Sequence, residues 1–213
     1  MIKGSYGCPF LLPEGLLVIA MTDQTLYPLF PLATVLYPGG CLPLRIFEPR
    51  YVRMTKEALQ NGTEFVIVQR DPELADGRFY ETGCLAKIDD WNPLPDQTLG
   101  IDLIGTKKVK IVDSYQEADS LWMGHCVELA DDPDEVFPAQ YAILQDALQQ
   151  LERHPQVQKS GGVTNYQDPS RVSYRLMQLL ALPAVEKQAL LEQPDATSRL
   201  HYLYHLLEEL QTP

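Results

Sequence analysis

Cysteine is scarce in this sequence, and its spacing excludes the common cysteine-based sites. Four cysteines occur among 213 residues: Cys8, Cys41, Cys84 and Cys126. Because no two of them form a Cys-x-x-Cys pair, the chain lacks the usual pattern of a structural zinc site or a thioredoxin-like redox centre. We therefore expect small buried thiols in a reducing cytoplasm, with no disulfide and no bound metal.

Long hydrophobic runs are also missing. Residues 8–20 form an apolar stretch near the N terminus, but Pro13 and Gly15 interrupt it, and a membrane-spanning helix needs about 20 continuous residues. The stretch is either a weak secretory signal or a translated extension upstream of a true start at Met21, and the interruption favours the second interpretation. We expect residues 1–20 to lie outside the fold, as a disordered or misassigned start, and we expect a cytoplasmic protein without membrane contact.

Several catalytic signatures are absent. The segment Gly100-Ile-Asp-Leu-Ile-Gly-Thr-Lys107 places threonine before lysine and leads into a strand, whereas a phosphate-binding loop requires Gly-Lys-Ser/Thr and opens a helix. The sequence also contains no Gly-x-Ser-x-Gly elbow and no His-Glu-x-x-His motif. We therefore predict no cofactor, no catalytic residue and no enzymatic activity.

The histidines offer two weaker candidate sites. His201, His205 and Glu208 recur at i, i+4 and i+7 of a predicted helix and could share a metal, but the spacing is equally that of a solvated polar face, which we predict. His125 lies on the apolar face of a predicted strand, with no nucleophile or acidic partner paired to it in sequence. We predict a hydrogen-bonded core histidine there. The alternative is a hydrolase that would lose its activity when His125 is mutated.

Positive charge is sparse, and most of the negative charge lies late in the chain. The net charge is −12, and residues 116–213 carry 6 basic and 15 acidic residues. An acidic field of this kind repels phosphate backbones and anionic lipid surfaces. We therefore expect partners other than nucleic acids and membranes.

The sequence does contain a strand-like alternation of apolar and polar residues over residues 26–129. Pro38-Gly39 supplies a turn, and an amphipathic helix over residues 48–60 interrupts the alternation. This pattern predicts a largely antiparallel sheet, curled into an open barrel, with one helix packed against it. Pro28 and Pro31 predict that the first segment is an edge strand or a kinked approach to the sheet.

The periodicity then changes at an acidic, proline-containing run over residues 131–135. Beyond it, apolar residues recur at helical spacing and are predicted to face the core of a small bundle, among them Leu144, Leu151, Leu176, Leu180, Leu203 and Leu207. We predict an α+β fold with a β lobe over residues 21–131 and a helical lobe over residues 132–213, together forming one domain.

The chain contains one basic cluster, with aromatic residues interleaved. Its members are Arg45, Phe47, Arg50, Tyr51, Arg53 and Lys56. The cluster is either a binding surface or a solvated helix face whose arginines pair locally with Glu48 and Glu57.

Four segments resemble a known family. They are Tyr27-Pro-Leu-Phe-Pro-Leu with Val35-Leu-Tyr-Pro-Gly-Gly-Cys-Leu-Pro-Leu-Arg-Ile-Phe-Glu-Pro-Arg-Tyr51, then Thr82-Gly-Cys-Leu-Ala-Lys-Ile88, then Gly100-Ile-Asp-Leu-Ile-Gly-Thr-Lys-Lys-Val109, and finally Leu182-Pro through Lys187-Gln-Ala-Leu-Leu-Glu192. In order and spacing they closely resemble the N-terminal domains of Lon proteases. The resemblance covers roughly residues 26–210, and the segment from Pro-Gly to Phe-Glu-Pro-Arg-Tyr is its most specific part.

The resemblance implies a PUA-like β lobe followed by a helical lobe, in agreement with the periodicity. In the full proteases this domain recognises unfolded or degron-bearing substrates, and the ATPase and protease domains lie downstream. Because the sequence ends at Pro213, the resemblance implies a stand-alone, non-catalytic relative. We expect it to bind polypeptides, as an adaptor or an ATP-independent holdase, in cooperation with a protease or a chaperone.

We expect the polypeptide to bind in the cleft between the two lobes. The predicted contact residues are Phe47, Arg50, Tyr51 and Arg53, because aromatic and arginine side chains are typical interface anchors. Alternatively, Phe47 and Tyr51 only fasten the helix to the sheet. The alternative function is that of a PUA-like protein that binds a small molecule or RNA, which would require a deep aromatic pocket or a basic groove.

Overall fold

The computed structural model describes residues 24–71, 78–96, 98–158, 162–163 and 165–211. The expectations for residues 1–20 and for a start at Met21 lie outside these residues. Six strands occupy the first part of the described chain: Thr25–Leu32 (β1), Cys41–Ile46 (β2), Phe65–Arg70 (β3), Phe79–Pro93 (β4), Leu99–Gln116 (β5) and Trp122–Glu128 (β6).

The strands form one mixed sheet that closes on itself. Hydrogen-bonded neighbours follow the order β2-β5-β4-β3-β1-β6, and β6 also pairs with β5. The length of β5, 18 residues, allows this closure, because its residues 99–104 pair with β2 and its residues 109–116 pair with β6. Register shifts in three of the strand pairs mark bulges, which bend strands and help the sheet to curl. The prediction of a curled sheet is confirmed, and β2 lies outside the closed ring.

β1 lies inside the sheet, although its two prolines predict an edge strand or a kinked approach to the sheet. Its residues 25–29 pair antiparallel with β6, and its residues 29–32 pair parallel with β3. Pro28 therefore lies opposite Met123 of β6, and Pro31 lies opposite Val68 of β3. Since proline has no N–H to donate, this staggered pairing places each proline where the strand has one neighbour instead of two.

The helix found in the described part of the β region covers the outer face of the sheet. This helix, Pro49–Asn61 (α1), begins with proline at its first turn and ends at Gly62, whose φ of 64° is in the left-handed region. Its buried residues include Tyr51 and Met54, and the Tyr51 ring stacks on Phe30 of β1 with 4.0 Å between centroids. Because α1 covers one face and the barrel interior the other, β3 is an almost wholly buried, apolar strand.

Helices form the second part of the described chain. They are Ala142–Glu152 (α2), Pro155–Gln158 (α3), Pro169–Leu179 (α4), Ala184–Leu191 (α5) and Ala196–Gln211 (α6), and a 3₁₀ turn at Ala139–Tyr141 precedes α2. Asp168 caps α4 by accepting a hydrogen bond from the Arg171 N–H, and Pro169 occupies the first turn of the helix. The predicted α+β fold class is confirmed.

The segment between β1 and β2 joins the sheet to the helices. Val35 and Tyr37 belong to the same apolar core as α2, α4 and α6. The Tyr37 hydroxyl donates to the Lys187 carbonyl at 3.3 Å, and Gln188 Nε2 donates to the Thr82 carbonyl at 3.0 Å. The helices therefore pack on the sheet through buried apolar contacts and through hydrogen bonds to its backbone.

Candidate functional site

The four residues predicted to bind a polypeptide have different surroundings. Tyr51 is 3% exposed and packs under α1, so it fastens that helix to the sheet. Phe47, in contrast, is 68% exposed just before α1. The alternative interpretation therefore holds for Tyr51 and fails for Phe47, which is free to touch a ligand.

The two arginines of this set form hydrogen bonds and ion pairs with neighbouring residues. Arg50 donates to the Glu48 carboxylate and, at 2.9 Å, to the Ser120 carbonyl. Arg53 forms ion pairs with three carboxylates, those of Glu57, Glu117 and Asp119. Hydrogen bonds to Asp119 and Glu117 raise the pKa of Arg53, so Arg53 stays positively charged within these ion pairs. These contacts fasten α1 to the turn between β5 and β6, and they include the predicted local pairs to Glu48 and Glu57.

The expected position of this set at the cleft between the lobes is wrong. That cleft is lined by residues 38–41, by the linker residues 130–135 and by α4, and none of the four predicted residues is part of its lining. The reason is the sheet topology, because α1 covers the outer sheet face while the helices contact the segment between β1 and β2. A binding role for Phe47, Arg50, Tyr51 and Arg53 stays a prediction.

An apolar groove opens on the helical lobe, between α2, α4 and α6. It encloses about 460 Å³, and its lining is mainly leucine: Leu144, Leu151, Leu176, Leu180, Leu203, Leu206 and Leu207. Gln150 and His154 are exposed polar residues in the same lining. The groove is thus an apolar surface with polar groups beside it, the usual composition of a protein or peptide contact surface.

The groove exists because α4 and α6 cover only part of the apolar face of α2. Leu144 and Leu148 are 3% and 0% exposed, whereas Leu151, one turn further along, is 37% exposed. Leu206 of α6 also lines the groove and does not belong to the buried core of the helices. Some residues that the helical periodicity assigns to the core, such as Leu151, are therefore accessible to solvent.

The cleft between the lobes is larger and polar. It encloses about 630 Å³ between the turn at residues 38–41, the linker at residues 130–135 and α4. Lys108 of β5 reaches across the junction and donates to the Gln193 carbonyl at 3.2 Å. Burial lowers the pKa of Lys108, because the ammonium has lost most of its contact with water.

A buried ion pair anchors the linker to the helices. Arg199 of α6 is 0% exposed, and its guanidinium pairs with the carboxylate of Asp132. Arg199 Nε also donates to Ser173 Oγ at 3.1 Å, and its Cζ lies 4.0 Å from the centre of the Tyr174 ring. Asp132 accepts a further hydrogen bond from Ser170. The linker is thus held by charge-assisted hydrogen bonds to a fully buried guanidinium.

Among the described residues, no catalytic constellation surrounds the candidate histidines. His125 is half-buried in β6, its register partners are Leu26 and Asp113, and its ring makes no hydrogen bond to a described residue, so the expected core hydrogen bond is not present. His201 lies 3.3 Å from the Tyr141 hydroxyl, and His205 pairs with Glu208. Within the described ranges, no group of three or more His, Cys, Asp or Glu is arranged to hold a metal.

The described cysteines are free thiols. Cys84 and Cys126 are buried, as the sequence predicts, and Cys41 is half-buried at the edge of the cleft. Burial raises the pKa of both buried thiols, that of Cys126 to about 12. Over the part of the chain that is described, no helix is long and apolar enough to cross a bilayer.

Residues 26–209 match the family model of the ATP-dependent protease La (LON) substrate-binding domain. The chain belongs to this family. The match covers both lobes, from β1 to the last turns of α6, so the resemblance of the four sequence segments is confirmed.

Individual members of the Lon family support the assignment. The chain is 27% identical to Lon protease 2 of Desulfotalea psychrophila over 87% of its own length, and 24% identical to the Lon protease of Azorhizobium caulinodans over 85%. It spans only 25% and 22% of those two proteins. The structure of a Lon N-terminal domain protein from Xanthomonas campestris superimposes with a TM-score of 0.73 at 26% identity, covering 85% of this chain and 98% of the other.

Two features of this Lon-family chain could not be located from its sequence. The leucines of the groove recur at the helical spacing that is typical of core residues. Only the arrangement of α2, α4 and α6 shows which of these side chains are accessible to solvent. The composition of residues 131–135 predicts a boundary between the lobes. It does not predict that Asp132 forms a buried ion pair with Arg199, which lies 67 residues further along the sequence.

Proposed function

We propose that this protein binds apolar segments of unfolded or degron-bearing polypeptides in the leucine-lined groove, and that it does so without catalysis. The observation that carries the proposal is the groove itself: three packed helices leave leucine side chains open to solvent on a face with few charges. An apolar segment that enters the groove removes this surface and its own from water, which favours binding by about 25 cal/mol per Å².

Family membership supports the same function. The family model describes a substrate-binding domain, and the two relatives reported above are Lon proteases. We infer that the bound polypeptide is held without ATP, by an adaptor or holdase that works beside a protease or a chaperone. The lining of the two concave surfaces agrees with this, because leucines line one and carboxylates border the other, whereas RNA would require a basic groove.

Replacing Leu151 and Leu206 together by glutamine is expected to weaken polypeptide binding about tenfold, because both side chains line the groove and neither belongs to the buried core. The measurement is fluorescence anisotropy of a labelled, permanently unfolded polypeptide, titrated with the protein in the absence of ATP. The wild-type protein should bind saturably in the micromolar range, and unlabelled unfolded chains should compete while RNA should not.

The matched control replaces Ile143 and Val185 by glutamine. These two residues are 42% and 50% exposed on helices of the same lobe but do not line the groove. The control variant should bind like the wild type. Equal weakening in both variants would point to general surface hydrophobicity, and no binding by the wild type would remove the proposed function.

The surface around α1 is a second candidate for the same function. Phe47 is its exposed aromatic side chain, and replacing Phe47 by alanine is expected to weaken binding of the same polypeptide about threefold if this surface takes part. Arg50→Ala and Arg53→Ala test the two arginines. Unchanged affinity in both would assign them to the attachment of α1 alone, as their ion pairs suggest.

A further inference from the structure

The lining of the cleft between the lobes contains more carboxylates than cations: Asp131, Asp132, Asp134, Glu135 and Asp168 against Lys108, Arg171 and Arg175. Three of its ion pairs are internal: Asp132 with Arg199, Asp168 with Arg171, and Glu152 with Arg175. Asp131, Asp134 and Glu135 remain at the exposed edge of the cleft, and no described residue forms an ion pair with any of them. Glu135 accepts one hydrogen bond, from the hydroxyl of Thr197 at 3.2 Å.

Two buried polar groups in the cleft wall have unused hydrogen-bonding capacity. Tyr174 is 7% exposed, its ring stacks on Tyr37, and its hydroxyl has no hydrogen-bond partner among the described residues. Lys108 is also 7% exposed, and its ammonium, which carries three donors, donates to one acceptor among the described residues, the carbonyl of Gln193. The Tyr174 oxygen is not among the fully buried unpaired atoms of the described residues, so a ligand in the cleft can reach it.

We propose that this cleft binds a basic, extended polypeptide segment. A lysine or arginine side chain of the segment meets the carboxylates of Asp131, Asp134 and Glu135. Backbone polar groups of the segment take the free hydrogen bonds of the Tyr174 hydroxyl and the Lys108 ammonium. The site is separate from the leucine-lined groove and does not depend on it.

The shape and the construction of the cleft suit such a segment. Its volume of about 630 Å³ is in the usual range of ligand sites and accommodates a long side chain with adjacent backbone. One wall is the linker, which the ion pair of Asp132 and Arg199 anchors at one residue, so Asp131 and Asp134 lie within two residues of a fixed point. Preorganised charges lose little freedom when a ligand binds, which favours affinity.

The test uses the full chain and a short peptide composed of arginine, glycine and serine, without any apolar side chain. Isothermal titration calorimetry measures its affinity, and a peptide with glutamine in place of each arginine should not bind. The triple variant Asp131→Asn, Asp134→Asn and Glu135→Gln is expected to bind the arginine peptide about tenfold more weakly. Tyr174→Phe removes a single oxygen and should weaken binding about threefold to tenfold.

The control removes the same number of carboxylates elsewhere. Asp89, Asp90 and Asp102 are exposed on β4 and β5, and no described cation pairs with them, so their replacement by asparagine changes the net charge equally. The proposal is overturned if this control loses as much affinity as the cleft variant, or if the wild type does not bind the arginine peptide. Loss of unfolded-polypeptide binding in the Leu151→Gln and Leu206→Gln variant, with arginine-peptide binding retained, would show that the two sites are independent.

Discussion

Replacing Arg199 by methionine is expected to lower the free energy of unfolding by about 3–5 kcal/mol, because it leaves the buried carboxylate of Asp132 without its counter-charge. The variant also loses the hydrogen bond to Ser173 and the contact with the Tyr174 ring. Urea denaturation followed by far-ultraviolet circular dichroism measures the effect near neutral pH.

The double variant Asp132→Leu and Arg199→Met is the control for this prediction. It removes both charges at once, so no buried charge is left unpaired, and it should recover most of the lost stability. If the double variant is as unstable as Arg199→Met, the loss comes from packing and not from the unpaired carboxylate.

The same ion pair also predicts a pH dependence. Burial by itself raises the pKa of Asp132, but hydrogen bonds from Arg199 and Ser170 outweigh burial, and the pKa lies below its ordinary value. Because the folded-state pKa is the lower one, the pair stabilises the fold fully above about pH 4 and loses its contribution as the pH falls through the folded-state pKa. The free energy of unfolding should therefore fall less steeply below pH 4 in the double variant than in the wild type.

Replacing Gly105 by alanine is expected to cost about 3 kcal/mol of stability, because there is no room for a methyl group. A Cβ at this position would lie 2.1 Å from the carbonyl oxygen of Tyr37, which is backbone and cannot turn away. The close approach is fixed by two hydrogen bonds, from Gly39 N–H to the Gly105 carbonyl at 2.8 Å and from Gly105 N–H to the Gly40 carbonyl at 2.9 Å. The urea midpoint of the variant measures the loss.

Gly162→Ala is the matched control for this substitution. Of the described residues, a Cβ at Gly162 would meet the Glu152 side chain alone, at an ordinary distance of 3.6 Å, so the effect of the substitution should stay within about 0.5 kcal/mol. A Gly105→Ala variant as stable as this control would mean that the segment between β1 and β2 can move away from β5, contrary to its role in joining the sheet to the helices.

Much of the fold could be predicted because local signals and the global fold agree. The amphipathic helix predicted over residues 48–60, for example, corresponds to α1 at Pro49–Asn61. The position of β1 could not be read in this way. Its prolines are compatible with an internal strand only because the two neighbouring strands pair with different parts of it.

The candidate sites were predicted less well, for a physical reason. Arg50 and Arg53 have the composition of a binding surface, and only the fold places Glu117 and Asp119, 64 and 66 residues away from Arg53 in sequence, beside its guanidinium. In the same way, the sequence assigns Leu151 to a helical core, and the limited cover from α4 and α6 leaves it accessible.

By itself, the sequence determined the α+β class, the order of strands before helices and the membership of the Lon substrate-binding family, because periodicity, turn residues and motif spacing are local properties of the chain. Only the tertiary structure decided that the sheet closes through β5 and β6, that Asp132 is buried against Arg199, and that the groove and the cleft are open. These features depend on which distant residues meet, and pairing between distant residues is set by packing of the whole chain.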